Sequence, residues 1–112
     1  MISIVAIHAT PEDPAAFDRY YADVHTPLVQ RIPGVRSIRY GHVLQRDINP
    51  NHQHYLICDT YFDDEAALNA ALDSPEMAEA IADVPNFSTG GVTIFFAEVA
   101  DFAPTPLPAE DS

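Results

Sequence analysis

Ile2 to His8 is an apolar run rich in β-branched side chains, which predicts a strand. Asp13-Pro14 follows with the chemistry of a helix start: a capping carboxylate, then a proline where a missing N–H costs nothing. Phe17, Tyr21, Val24 and Leu28 then recur at helical spacing and define one apolar face. Pro27 removes a backbone donor and biases Thr26 away from the helical region, so a break or kink is expected near His25-Thr26. Thr26 is then expected to recap a last turn that runs to Ile32, with Pro33-Gly34 ending the element. Val35 to Leu44 and Tyr55 to Phe62 alternate as strands, and the polar stretch Arg46 to His54 joins them as an antiparallel hairpin. Asp63, Asp64 and Glu65 open a second helix with Ala67, Leu68, Ala71 and Leu72 on its buried side. Ser74-Pro75 starts a further helix carrying Met77 and Ile81, and Gly90-Gly91 precede a last strand, Val92 to Val99.

That order predicts an α+β fold, a ferredoxin-like βαββαβ sandwich with a four-stranded antiparallel sheet and its helices on one face. One domain is expected over residues 1–102, followed by a Pro-rich C-terminal tail over residues 103–112. Strand alternation adds a complication. Val92, Ile94 and Phe96 oppose Phe95, Ala97 and Val99, and Ile2, Ile4 and Ala6 oppose Val5 and Ile7, so both sheet faces are apolar. The helices cover one face, and a homodimer that packs sheet against sheet would cover the other.

Composition narrows the function. The 112 residues carry 17 acidic and 5 basic side chains, a formal net charge of −12, and every basic residue is Arg. With no cationic cluster to replace counterions, no nucleic acid partner is expected. The N-terminal run has no basic flank and is too short to span a bilayer, so no membrane partner and a cytoplasmic location are expected. Cys58, the single cysteine, lies in an apolar run and reads as a small hydrophobe.

His25 is the leading candidate for chemistry. It follows Tyr21 by four positions, at a helix end whose carbonyls favour the imidazolium while burial disfavours it. Such a group can act as a general acid or base, or it can simply cap a helix end. Tyr40 shares a strand face with Ile38, His42 and Leu44, where its hydroxyl could steady an oxyanion or sit satisfied in the core. His52 and His54 form a His-x-His pair without a further ligand in view, and His8 has no clear partner. No metal and no cofactor are expected.

The segment Phe17-Asp-Arg-Tyr20-Tyr21-Ala-Asp-Val-His25-Thr-Pro27-Leu28, with Ile32-Pro33-Gly34-Val35 and Arg39-Tyr40, resembles the EthD-domain family. The resemblance implies a dimeric α+β barrel with a pocket between helices and sheet. It implies cofactor-independent chemistry of isomerase, cyclase, dehydratase, lyase or monooxygenase-like type on a small hydrophobic oxygenated molecule. In similar isomerases a helix-end histidine, a tyrosine on the second strand and a histidine near the third do the work, which His25, Tyr40 and His54 (or His52) match. Phe17, Tyr21, Ile38, Tyr61 and Phe95 are expected to line the substrate pocket. The other reading is a non-catalytic protein that binds a small hydrophobic ligand, or an accessory protein to an oxygenase pathway.

Overall fold

A computed structural model of the chain describes residues 1–45 and 53–101. The expected tail and the loop position of His52 lie outside the described residues. Four strands, β1 (Ile2–Ala9), β2 (Ser37–His42), β3 (His54–Phe62) and β4 (Val92–Glu98), form one antiparallel sheet in the order β2-β3-β1-β4. Helices α1 (Pro14–Tyr20), α2 (Thr26–Gln30), α3 (Glu65–Leu72) and α4 (Pro75–Asp83) lie on one face, which makes the fold ferredoxin-like. No described helix is long and apolar enough to cross a membrane.

Local chemistry sets the helix starts. Asp13, Asp64 and Ser74 each accept a hydrogen bond from the backbone N–H three residues on, at 3.1, 2.8 and 3.1 Å. The irregularity expected near His25-Thr26 is present, as a π turn and not as a break in the helix. A π turn, Tyr21–His25, carries α1 into α2, and Thr26 stays in the right-handed helical region, its N–H bonded to the Tyr21 carbonyl. Widening the helix by one residue gives the Pro27 ring room that a regular turn denies it. Thr26 does not recap; its Oγ1 is the single buried side-chain polar atom without a hydrogen-bond partner among the described residues.

Strand pairing decides which side chains meet the helices. The register Ile4↔Thr60, Ala6↔Cys58 and His8↔Leu56 puts these residues, with Ile2 and Phe62, on the helix side. Between His8 and Ala9 the register shifts by one, and Tyr55 is the extra residue of a bulge. A bulge re-aims its side chain: Tyr55 packs edge-on to Phe17 on the helix side, ring centroids 5.3 Å apart. β2 is shorter at both ends than the alternation of Val35 to Leu44 suggests.

The core falls into two clusters along the sheet. One gathers Ile2, Ile32, Phe62, Leu68, Met77 and Ala80; the other gathers Phe17, Tyr21, Leu56, Cys58 and Phe87. The opposite sheet face carries Val5, Ile57, Tyr61 and Phe95, with Ile57 40% and Phe95 45% exposed.

Phe62 is fully buried at the centre of the first cluster. Its replacement by alanine is expected to cost about 3–5 kcal/mol, read as a lower urea midpoint with an unchanged slope.

Candidate functional site

The π turn decides where His25 goes. It delivers the imidazole to the buried side of the helix, between Tyr21 and Phe87, with ring centroids at 5.7 and 4.5 Å. There Nδ1 lies 2.9 Å from Oδ2 of Asp83, the last residue of α4. Oδ1 of the same carboxylate accepts from the Tyr20 hydroxyl and, at 3.0 Å, from Asn86 Nδ2. Burial works against a charge on Asp83, but the bonds from Tyr20, Asn86 and His25 together outweigh it and hold its pKa below the usual carboxylate value. Burial also pushes the His25 pKa down, and Asp83 only partly restores it. His25 is therefore a neutral imidazole near pH 7 whose Nδ1–H is donated to a carboxylate.

Asp83 was not legible as a site residue, although one signal existed. A carboxylate at the C-terminal end of a helix opposes the helix dipole, which calls for a partner.

His8, which had no evident partner in sequence, lies at the far side of the same space. Its ring meets Phe17, Tyr21 and Phe87 at 5.4, 5.8 and 5.4 Å, and its Nδ1 is 2.8 Å from Ser88 Oγ. Ser88 Oγ also reaches the Gly91 carbonyl at 3.2 Å, and with its proton given there it accepts Nδ1–H from His8. Burial first, and then the nearby His25, lower the His8 pKa to about 4.

His8 and His25 share a cavity of about 80 Å³, open on one side, at the seam between the two core clusters. Tyr21 and Cys58 form part of its wall, and burial raises the pKa of both. Cys58 is a free, buried thiol. The exposed side chains of Ile81 and Ile94 stand at the same cavity.

The expected site residues scatter around this cavity. His25 and Tyr21 line it. Phe17 stacks on Tyr21 at 5.7 Å and Ile38 packs against the same cluster, both behind the wall. Tyr40 is 47% exposed with its ring 5.1 Å from Tyr21, beyond the lining. His54 is an exposed residue at the start of β3 and does not line the cavity. Tyr61 and Phe95 correct the sequence reading: pairing with Ser37 and Val5 puts both on the sheet face turned away from the helices. Alternation separates two faces, but it does not say which of them the helices cover.

A second polar cluster ties α1 to the sheet edge. Asp18 Oδ1 lies 2.8 Å from His42 Nε2 and accepts from the Tyr55 hydroxyl at 2.8 Å. Burial alone would raise the Asp18 pKa, but the bonds from His42 and Tyr55 bring it below the usual value. Among the described residues no group of three or more His, Cys, Asp or Glu side chains could hold a metal.

Residues 9–91 match the EthD domain. Over 98 residues, 88% of this chain and 94% of the relative, the chain is 41% identical to an uncharacterized 11.0 kDa protein of the thcB-thcC intergenic region of Rhodococcus erythropolis. The crystal structure of an EthD family protein from Bacillus halodurans C-125 superposes with a TM-score of 0.81 at 29% identity, covering 89% of this chain and 99% of that one. SnoaB, described as a cofactor-independent oxygenase from Streptomyces nogalater, shares the fold with a TM-score of 0.66 at 16% identity, covering 93% and 97%.

The depressed His8 pKa gives a stability prediction. The unfolded state binds a proton below pH 6.5 that the folded state accepts only near pH 4, so stability is full above 6.5 and falls as pH drops from 6.5 towards 4. On the order of 2–3 kcal/mol of that acid loss is expected to vanish in His8→Gln, measured by urea unfolding at pH 7 and pH 4.5.

Proposed function

The chain belongs to the EthD-domain family, and from that premise we propose that it is a cofactor-independent acid/base enzyme acting on a small hydrophobic oxygenated molecule, with His25 as general acid/base. One observation carries the reading: a neutral imidazole lines an apolar cavity while a buried, ionised carboxylate holds its Nδ1–H. That arrangement orients the ring and stabilises the imidazolium formed when Nε2 takes a proton. A proton removed from carbon beside a carbonyl leaves an enolate, and return of that proton at another position completes an isomerisation. Loss of a leaving group instead gives a lyase or dehydratase outcome. The description of SnoaB as cofactor-independent supports the view that this fold can host chemistry without a bound helper. The reading assigns no proton-transfer step to Tyr40 or His54, which stand outside the cavity wall.

The same proposal includes a homodimer. Val5, Ile7, Ile57, Tyr61, Phe95 and Ala97 lie, together with the polar Ser3, Arg39, Asp59 and Thr93, on the sheet face that the chain's own helices do not cover. A second copy of the sheet would bury it.

The test of catalysis is deuterium exchange at the α-carbon of small lactones and β-keto esters in D₂O, followed by NMR with no added cofactor. Because the base works in its neutral form, the rate should be flat near neutrality and fall as pH drops, with a midpoint below 6.5. His25→Ala should lower it by about 10²–10⁴-fold. Exchange that survives this substitution unchanged would refute the role, and ligand binding without any exchange would favour a binding protein. For the dimer, Phe95→Lys should shift the sedimentation coefficient from that of a dimer to that of a monomer, with the far-UV spectrum retained.

A further inference from the structure

The two imidazoles at the cavity are fixed in the same tautomer by different partners. Asp83 is an ionised acceptor, so His25 must donate Nδ1–H to it. Ser88 Oγ also reaches the Gly91 carbonyl, and with its proton given there it accepts Nδ1–H from His8. Each neutral ring then carries its lone pair on Nε2. Neither Nε2 is a buried atom without a partner, since Thr26 Oγ1 alone has that status among the described residues. Both rings line the cavity. The rest of the wall is apolar except for Tyr21, Cys58 and Thr60, whose hydroxyl and thiol groups bond one another, and no described Arg lines it. Lysine does not occur in the chain.

We infer that this cavity reads a neutral hydroxyl group, phenolic or enolic, on its ligand: the O–H is donated to an imidazole Nε2, and the pair of lone pairs turns carboxylates and ether-only analogues away. The inference rests on the cavity being the substrate site and deepens that reading by naming the group recognised. A carboxylate would face two lone pairs without a cation to offset its desolvation, and an ether would leave an acceptor unpaired. At about 80 Å³ the cavity accepts the oxygenated edge of a ring, while the apolar remainder lies over Ile81 and Ile94 at the mouth.

The experiment has two arms on the wild-type protein at pH 7.5. Long-range ¹H–¹⁵N correlation spectra should show both His8 and His25 with protonated Nδ1 and bare Nε2. A protonated Nε2 on either ring overturns the inference. In titrations, 4-methylphenol should shift the Nε2 resonances of both rings and bind at least about tenfold more tightly than 4-methylanisole or 4-methylbenzoate, the ratio one net hydrogen bond provides. If the ether binds as tightly as the phenol and perturbs the same rings, hydroxyl reading is refuted while the cavity stands as the binding site. If none of the three perturbs either ring, the cavity reading fails as well.

Discussion

Asp83 keeps a negative charge where little water reaches it, and three donors from three segments of the chain hold it there. Tyr20 comes from the end of α1, His25 from the π turn and Asn86 from the short turn after α4. Removing a charge from water is expensive unless its lone pairs are met, so these contacts are required together. The carboxylate thus fastens the end of α4 to the one irregular turn of the first helix. The π turn places His25, and that anchor holds it there. The cavity wall is formed where the two core clusters meet.

Electrostatics at the cavity is set by burial more than by charge. The chain is strongly acidic, yet the wall of this space holds no described carboxylate, and the nearest one is consumed by its three donors. Two imidazoles are pushed towards neutrality by desolvation, His8 further than His25 because Asp83 supports only the latter. The site therefore offers lone pairs in an apolar setting, which suits neutral polar groups better than ions.

Element order and strand pairing were readable because the hydrophobic period and the capping residues agree at almost every step, as at Asp13, Asp64 and Ser74. Pro27 correctly marked an irregularity, but a local rule could not choose between a break and a π turn. The π turn brings His25 to Asp83, a residue 58 positions away, which no local rule takes into account. His25 was legible from its helical spacing to Tyr21, whereas its partner was not, since a helix-end aspartate usually just faces solvent. His8 was passed over for the same reason. Its partner Ser88 is 80 residues distant, and only the sheet order brings them together. Tyr61 and Phe95 show the complementary gap, because strand parity sorts residues into two sets without saying which set meets the helices.

The π turn between α1 and α2 amounts to one surplus residue in an otherwise regular helix. Losing a residue there would restore regular winding and leave the faces of Phe17 and Leu28 in phase with the core. The imidazole would then turn away from Asp83, so the surplus residue is what joins His25 to its carboxylate.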